Sequence, residues 1–73
     1  MITDAERERL DRDFIHHTPK GDQSGRYTAI RNITREVALY FMDHCPDSQE
    51  RSLAITKLEE AVFWANASIA RNE

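Results

Sequence analysis

The chain has 73 residues and a net charge of −3, with 40% hydrophobic and 32% charged residues. This length leaves no room for a second domain. A chain so short buries only about 60% of the surface that it exposes when unfolded, so it usually needs a disulfide, a structural metal or self-association. Cys45 is the only cysteine, which excludes an internal disulfide. With His16, His17 and His44 it forms no CxxC or HxxxH pair, which argues against structural zinc. Self-association remains as the expected reinforcement.

The sequence also argues against membrane insertion and secretion. No apolar run approaches the ~18 residues of a membrane span, and residues 1–8, MITDAERE, lack the basic and then apolar order of a signal peptide. Two glycines and two prolines are too few for a turn-rich β domain. We therefore expect residues 1–73 to form a single all-α domain in a reducing cytosol.

A capping box at residues 3–6 begins the first predicted helix. Its threonine hydroxyl can accept a backbone N–H of the first turn, while the glutamate side chain accepts the threonine N–H. The helix is expected over about 4–14, with Leu10 and Phe14 as a narrow apolar stripe. Residues 15–24 contain a proline and a glycine, which predicts one long loop.

Apolar residues at spacings of three and four predict a second helix over about 25–44, which a Cys-Pro pair ends. A second capping box over 47–50 predicts a third helix over about 48–71. Because the turn between them is short, these helices should pair antiparallel. The stripes expected to face each other are Tyr27, Ile30, Ile33, Val37, Tyr40, Phe41 and His44 on the second helix, and Ala54, Ile55, Leu58, Ala61, Val62, Ala65 and Ile69 on the third.

Several large apolar side chains fall outside these stripes. On a small domain, such a set is typical of a surface that meets another chain. Asn66 is a poor helix former on a face of small residues, which suggests a specific hydrogen bond, although close helix packing would also explain that face. The roles of Asn66 and Arg71 stay open at this point. The apolar residues left exposed are Leu39, Met42, Phe63 and Trp64.

The charge is unevenly distributed along the chain. Residues 16–35 carry four bases and one acid, whereas both flanking segments are acidic. This basic segment includes the start of the second helix, where free N–H groups favour phosphate. Arg26 and Thr28 could bind phosphate oxygens, while Tyr27 or Phe14 could stack on a base. The alternative is a solvated loop whose arginines pair with acids of the first helix. Long DNA or RNA is a poor ligand for an acidic protein with so small a basic patch.

Catalysis finds little support in the sequence. Adjacent His16 and His17 point in different directions, and Cys45 lies at a helix carboxyl end, where the helix dipole disfavours a thiolate. Glu59 and Glu60 project about 100° apart on a helix and make no acid–base pair. We therefore expect no catalytic residues, no cofactor and no metal.

Three stretches together resemble a known family: residues 51–71, RSLAITKLEEAVFWANASIAR, the Cys-Pro pair at 45–46, and residues 17–23, HTPKGDQ. They are similar to the small phage anti-CBASS proteins, sponges that sequester the cyclic oligonucleotide messengers of a bacterial abortive-infection system. The resemblance covers nearly the whole chain, and residues 51–71 are its most specific part.

The resemblance implies a homohexamer that holds cyclic dinucleotides, such as cyclic GMP-AMP, between protomers. It also implies a separate pocket for cyclic trinucleotides near the threefold axis, no cleavage of the ligand, and a place in the cytoplasm of the infected bacterial host. The expected ligand contacts are Phe14, His17, Lys20, Arg26, Tyr27, Thr28, Arg31 and Arg71, and the expected interface residues are Leu39, Phe63, Trp64 and Asn66.

Two other hypotheses remain beside the sponge. The exposed apolar side chains would also suit a helical adaptor that binds a host protein instead of its own copies. The third hypothesis is an enzyme acting through His16, His17 and Cys45.

Overall fold

The computed structural model describes residues 1–73 as three α-helices without a strand, which confirms the all-α prediction. Helix α1 spans Asp4–Phe14, α2 spans Gln23–His44 and α3 spans Gln49–Asn72. The long helices α2 and α3 pack on each other as a helical hairpin, whereas α1 makes no comparably extensive contact. None of the three carries an apolar segment that could cross a bilayer.

The predicted capping box of α1 is present. The Thr3 hydroxyl accepts the Glu6 N–H at 3.1 Å, and the Glu6 carboxylate accepts the Thr3 N–H at 2.9 Å. The hydrogen bond from the Thr3 N–H, and after it the Thr3 hydroxyl, lower the pKa of Glu6, because they favour its charged form. The cap begins a helix of 11 residues that buries none of its side chains.

Helix α2 begins at Gln23, two residues before the predicted start. Gly21 adopts a left-handed φ of 57°, which allows a tight turn. Within this turn the Gln23 N–H donates to the Lys20 carbonyl at 3.1 Å, and the Lys20 N–H donates to the Gln23 side-chain oxygen at 3.1 Å. Asp22 precedes the helix without capping it.

The second predicted capping box is wrong. The residue that caps α3 is Ser48, whose hydroxyl accepts the Arg51 N–H at 3.1 Å, so the third helical position holds arginine instead of glutamate. The Arg51 guanidinium donates to the Met42 carbonyl at 3.1 Å and to the Cys45 carbonyl at 3.3 Å. It also pairs with Asp47 at 3.1 Å. A side chain from α3 thus satisfies carbonyls at the end of α2 and closes the turn.

The face that α2 presents to α3 differs from the predicted stripe. Ile33 and Tyr40 are largely exposed, and the exposed His44 ring stacks on Tyr40 with centroids 3.9 Å apart. The prediction placed large apolar side chains against α3. The smaller Thr34 and Ala38 take that place and allow the two helices to approach closely. The α3 stripe is half-buried as predicted, except at the exposed Ala61. The half-buried α2 residues are Arg26, Tyr27, Ile30, Thr34, Ala38 and Phe41.

No apolar side chain of the protomer is fully buried, and Gln23 is the only buried residue. The radius of gyration is 16.4 Å, against about 11 Å for a compact domain of this length. The accessible surface is 6026 Å², whereas a compact monomer of 8.5 kDa exposes about 4,650 Å². A single protomer therefore exposes about 1,400 Å² more surface than a self-sufficient domain of its mass.

Candidate ligand-binding site

Glu73, the residue after α3, joins the end of that helix to the start of α2. Arg26 donates to both carboxylate oxygens of Glu73, with Nη1 2.8 Å from Oε2. Gln23 Nε2 donates to Glu73 Oε1 at 3.2 Å, and the Lys20 ammonium donates to the Glu73 main-chain oxygen at 2.8 Å. We call these four residues, Lys20, Gln23, Arg26 and Glu73, the Glu73 clasp.

Opposite charges pair within the clasp. Hydrogen bonds from Arg26 and then Gln23 lower the pKa of Glu73 to about 2, and the hydrogen bond to Glu73 raises the pKa of Arg26. Asp22 adds a second carboxylate, 3.2 Å from the Arg26 guanidinium. Lys20 and Arg26, two of the bases that the sequence offers for phosphate, therefore contact groups of their own chain. A phosphate binding here has to compete with Glu73.

Beside the clasp lies a polar cavity of about 480 Å³, which we call the loop cavity. The loop before α2 forms one wall and the end of α3 the other. Glu73 is the only acidic residue in its lining. The lining residues are His16, His17, Thr18, Lys20, Gln23, Ala70, Arg71, Asn72 and Glu73.

A neighbouring groove of about 330 Å³, which we call the Arg71 groove, lies between the end of α1 and the hairpin. Arg31 lines it without a carboxylate partner, and its Nη2 donates only to the Thr28 hydroxyl at 3.3 Å. The groove thus combines an arginine free to bind phosphate with the ring of Tyr27. Its lining residues are Asp13, His17, Tyr27, Arg31, Asn66, Ala67, Ala70 and Arg71.

Asp13 supplies the negative charge of the Arg71 groove. A hydrogen bond from Arg12 at 3.1 Å lowers the pKa of Asp13, assisted by the charges of Arg71 and Arg9, each 3.7 Å away. The pairing with Arg71 joins α1 to α3. The His17 Nε2–H donates to the Arg12 carbonyl at 2.7 Å and holds the following loop against the end of α1. Polar contacts therefore hold α1 in place.

Asn66 contributes an unsatisfied acceptor to the Arg71 groove. Its side-chain oxygen is buried and has no hydrogen-bond partner. Buried polar atoms nearly always have partners in folded proteins. This oxygen therefore stands out as an acceptor that the protomer itself does not satisfy.

The sequence matches the family model of the Acb2/Tad1 hairpin domain over residues 6–70. The chain belongs to the Acb2/Tad1 hairpin family. This is the anti-CBASS sponge family that the sequence resembles. No curated protein and no solved structure matches the chain. The matched range extends from α1 to near the end of α3, and it includes every lining residue of the Arg71 groove except Arg71.

The structure divides the predicted ligand residues of this hairpin into three groups. His17, Tyr27, Arg31 and Arg71 line the Arg71 groove, and Lys20 and Arg26 lie in the Glu73 clasp. Phe14 and Thr28 line neither the groove nor the loop cavity. The alternative that the arginines pair with acids of the first helix is wrong for Arg26, whose partners are Asp22 and Glu73. The ligand contacts themselves stay predictions.

The predicted interface residues Leu39, Phe63 and Trp64 are exposed, while Asn66 is half-buried. Phe63 lines an apolar groove of about 400 Å³ between α2 and α3. Trp64 lies beside Arg71, and both line a further groove on α3 that Phe63 also borders. Their contact with another protomer stays a prediction.

Sequence reasoning missed Asp13, Gln23 and Glu73. Asp13 had a local signal, since Arg9 precedes it by four residues on the same helix face. Gln23 and Glu73 had no local sequence signal, because their contact joins residues 50 positions apart. No cluster of three or more His, Cys, Asp or Glu side chains is arranged to hold a metal ion.

Proposed function

We propose that the protein binds cyclic dinucleotides, such as cyclic GMP-AMP, and cyclic trinucleotides. By sequestering them in the cytoplasm of an infected bacterium it would block CBASS signalling against the phage. The observation that carries this proposal is the match to the Acb2/Tad1 hairpin family over residues 6–70.

The chemistry of the Arg71 groove supports this ligand class. A cyclic dinucleotide presents two phosphodiesters and two bases, so it needs cations and flat rings close together. Arg31 and Arg71 supply the cations and Tyr27 supplies a ring. Phe14 is 82% exposed beside the groove-lining Asp13 and offers a second ring for a base or for a neighbouring protomer.

Sequestration without cleavage agrees with the placement of the reactive side chains. Cys45 follows the carboxyl end of α2, whereas His16 and His17 precede its amino end. A helix of 22 residues is about 33 Å long. This distance prevents a pair between Cys45 and either of these two histidines within one protomer. We propose that the ligand is released chemically unchanged.

We further propose that the protomers assemble as a homohexamer. The excess of about 1,400 Å² of exposed surface per protomer exceeds the ~800 Å² that one partner buries in a standard interface. Divided between two neighbours, as in a ring, this excess is about 700 Å² per contact, which is close to that standard size. Leu39, Phe63, Trp64 and Asn66 are proposed to lie at these contacts, and a second pocket would hold cyclic trinucleotides.

Calorimetry with cyclic GMP-AMP and with a cyclic triadenylate tests the proposal, with linear dinucleotide as the ligand control. We expect binding of the cyclic ligands at micromolar protein, and recovery of each at unchanged mass after heat denaturation. Arg31→Ala should weaken binding more than tenfold, because a charge-assisted phosphate contact contributes about 1.5–3 kcal/mol. Arg35→Ala is the matched control, since Arg35 lies one turn further along α2 and outside the Arg71 groove. Absence of heat for both cyclic ligands would refute the proposal.

The adaptor hypothesis finds support in one observation, the exposure of Phe63 and Trp64, at 70% and 63%. Light scattering separates it from the sponge. A monomer at tens of micromolar would favour the adaptor, because pockets shared between protomers require assembly before ligand can bind.

A further inference from the structure

Glu73 accepts more side-chain hydrogen bonds than any other residue in the chain. Four polar N–H groups on three side chains converge on Glu73, three of them on its carboxylate. We propose that this cluster is an anion site which Glu73 occupies in the free protein, and that a phosphate of the bound ligand enters it by displacing Glu73. The inference rests on the proposed function for the identity of the ligand.

The donor set suits phosphate at least as well as a carboxylate. Arg26 binds in the bidentate manner that arginine uses for both groups. Its Nε–H is buried and has no partner, so Glu73 leaves one donor of the guanidinium unsatisfied. Gln23 is only 5% exposed, which fixes its amide beside the site before any ligand arrives.

The surroundings of the clasp also allow exchange. The loop cavity opens beside it, and His16, His17 and Arg71 line this cavity together with Lys20. Glu73 is the only acidic residue in the lining, so its departure leaves a wholly basic or neutral wall. Because Glu73 follows the last residue of α3, its side chain can leave without unwinding that helix.

The first test compares the affinity for cyclic GMP-AMP of the wild type, Glu73→Gln and Glu50→Gln. The Glu50→Gln control removes the same charge at the opposite end of α3. We expect Glu73→Gln to tighten binding roughly three- to tenfold, because the neutral amide competes less strongly than a carboxylate with the incoming phosphate. Glu50→Gln should change it by less than twofold. Unchanged or weaker binding by Glu73→Gln, with its helical circular dichroism intact, would overturn the proposal.

A double-mutant cycle tests whether Glu73 acts through Arg26. In an Arg26→Ala background, Glu73→Gln should no longer tighten binding, since the shared partner is gone. A gain as large as in the wild type would show that the carboxylate repels the ligand from a distance, which contradicts the displacement.

The third test follows the carboxylate itself by NMR of protein with ¹³C-labelled glutamate. In the free protein, Glu73 should titrate near pH 2. With ligand bound, it should titrate near its ordinary value of 4.5, because its partners now hold phosphate. A Glu73 carboxyl that still titrates near 2 in the complex would refute the proposal.

Inorganic pyrophosphate separates this proposal from the proposed function. If pyrophosphate shifts the Glu73 carboxyl signal and binds more tightly to Glu73→Gln than to the wild type, the anion site exists whether or not cyclic nucleotides bind. If neither pyrophosphate nor cyclic GMP-AMP displaces Glu73, the site is refuted. Failure of the cyclic nucleotides alone refutes only the proposed function.

Discussion

Replacement of Trp64 with alanine tests whether the exposed apolar surface of the hairpin is an interface between copies of the chain. Trp64 is 63% exposed, and its neighbour Phe63 is 70% exposed. Neither side chain contributes to a buried core in the protomer. If these rings are covered on assembly, their truncation should weaken the assembly while leaving α2 and α3 paired.

The exposed area sets the size of the effect. A fully covered tryptophan removes up to about 250 Å² from water, and the 63% still exposed corresponds to about 160 Å². At about 25 cal/mol per Å², complete coverage contributes up to about 4 kcal/mol. A central aromatic residue of an interface typically contributes about 2 kcal/mol or more. Trp64→Ala should therefore raise the dissociation constant of its contact roughly 30- to 1,000-fold.

Sedimentation velocity over a dilution series measures this shift. We expect the wild type at six times the 8.5 kDa protomer mass, and Trp64→Ala to dissociate at much higher concentration. Lys57→Ala is the control, because Lys57 lies on the same helix and its only ion pair is with Glu60 at 3.4 Å. Far-ultraviolet circular dichroism checks that each variant keeps its helices.

Two results would refute the reasoning. A wild-type monomer at tens of micromolar would mean that the open protomer is stable alone. A Trp64→Ala variant that dissociates at the same concentration as the wild type would place the interface on another face of the molecule.

Two further predictions concern local contacts. Because the pKa of Glu73 is about 2, below its ordinary 4.5, the folded protein binds fewer protons there than the unfolded chain. The clasp should thus stabilise the fold fully above about pH 5, and this stabilisation should be lost as the pH falls from about 4.5 towards 2. The chemical shift of the Lys20 amide would report the loss. A Lys20 signal that changes only above pH 5 would contradict this prediction. Ser48→Ala should lower the free energy of unfolding by about 1 kcal/mol, because Ser48 caps α3. Urea unfolding measures this loss, with the exposed Ser52→Ala as control, and equal midpoints for the two variants would show that the cap contributes nothing.

Local patterns in the sequence were sufficient for the helices. The Thr3 capping box and the apolar period of α3 involve residues three or four positions apart, and both occur in the structure. The capping box predicted over 47–50 failed although its residue types were right. Ser48 competes with Asp47 for the cap, and Arg51 reaches the Met42 carbonyl only when α2 and α3 lie together.

The helix face was harder to predict than the helix. Large residues such as Ile33 and Tyr40 continue the apolar period of α2 but remain exposed, while Thr34 and Ala38 lie against α3. Periodicity predicts which residues share a side of a helix, but not which of two adjacent apolar sides meets a given partner. In a chain with so little buried surface, the second apolar side stays exposed in the protomer.

The sequence by itself determined the three helices, the short turn that pairs two of them, the excess of apolar surface and the basic segment around α2. These follow from contacts between near neighbours and from composition, which any fold of this chain would keep. Only the tertiary structure decided that Lys20 and Arg26 bind Glu73 and that Tyr27, Arg31 and Arg71 line one groove. Those arrangements depend on residues about 40 to 50 positions apart, which approach each other only when α3 folds back along α2.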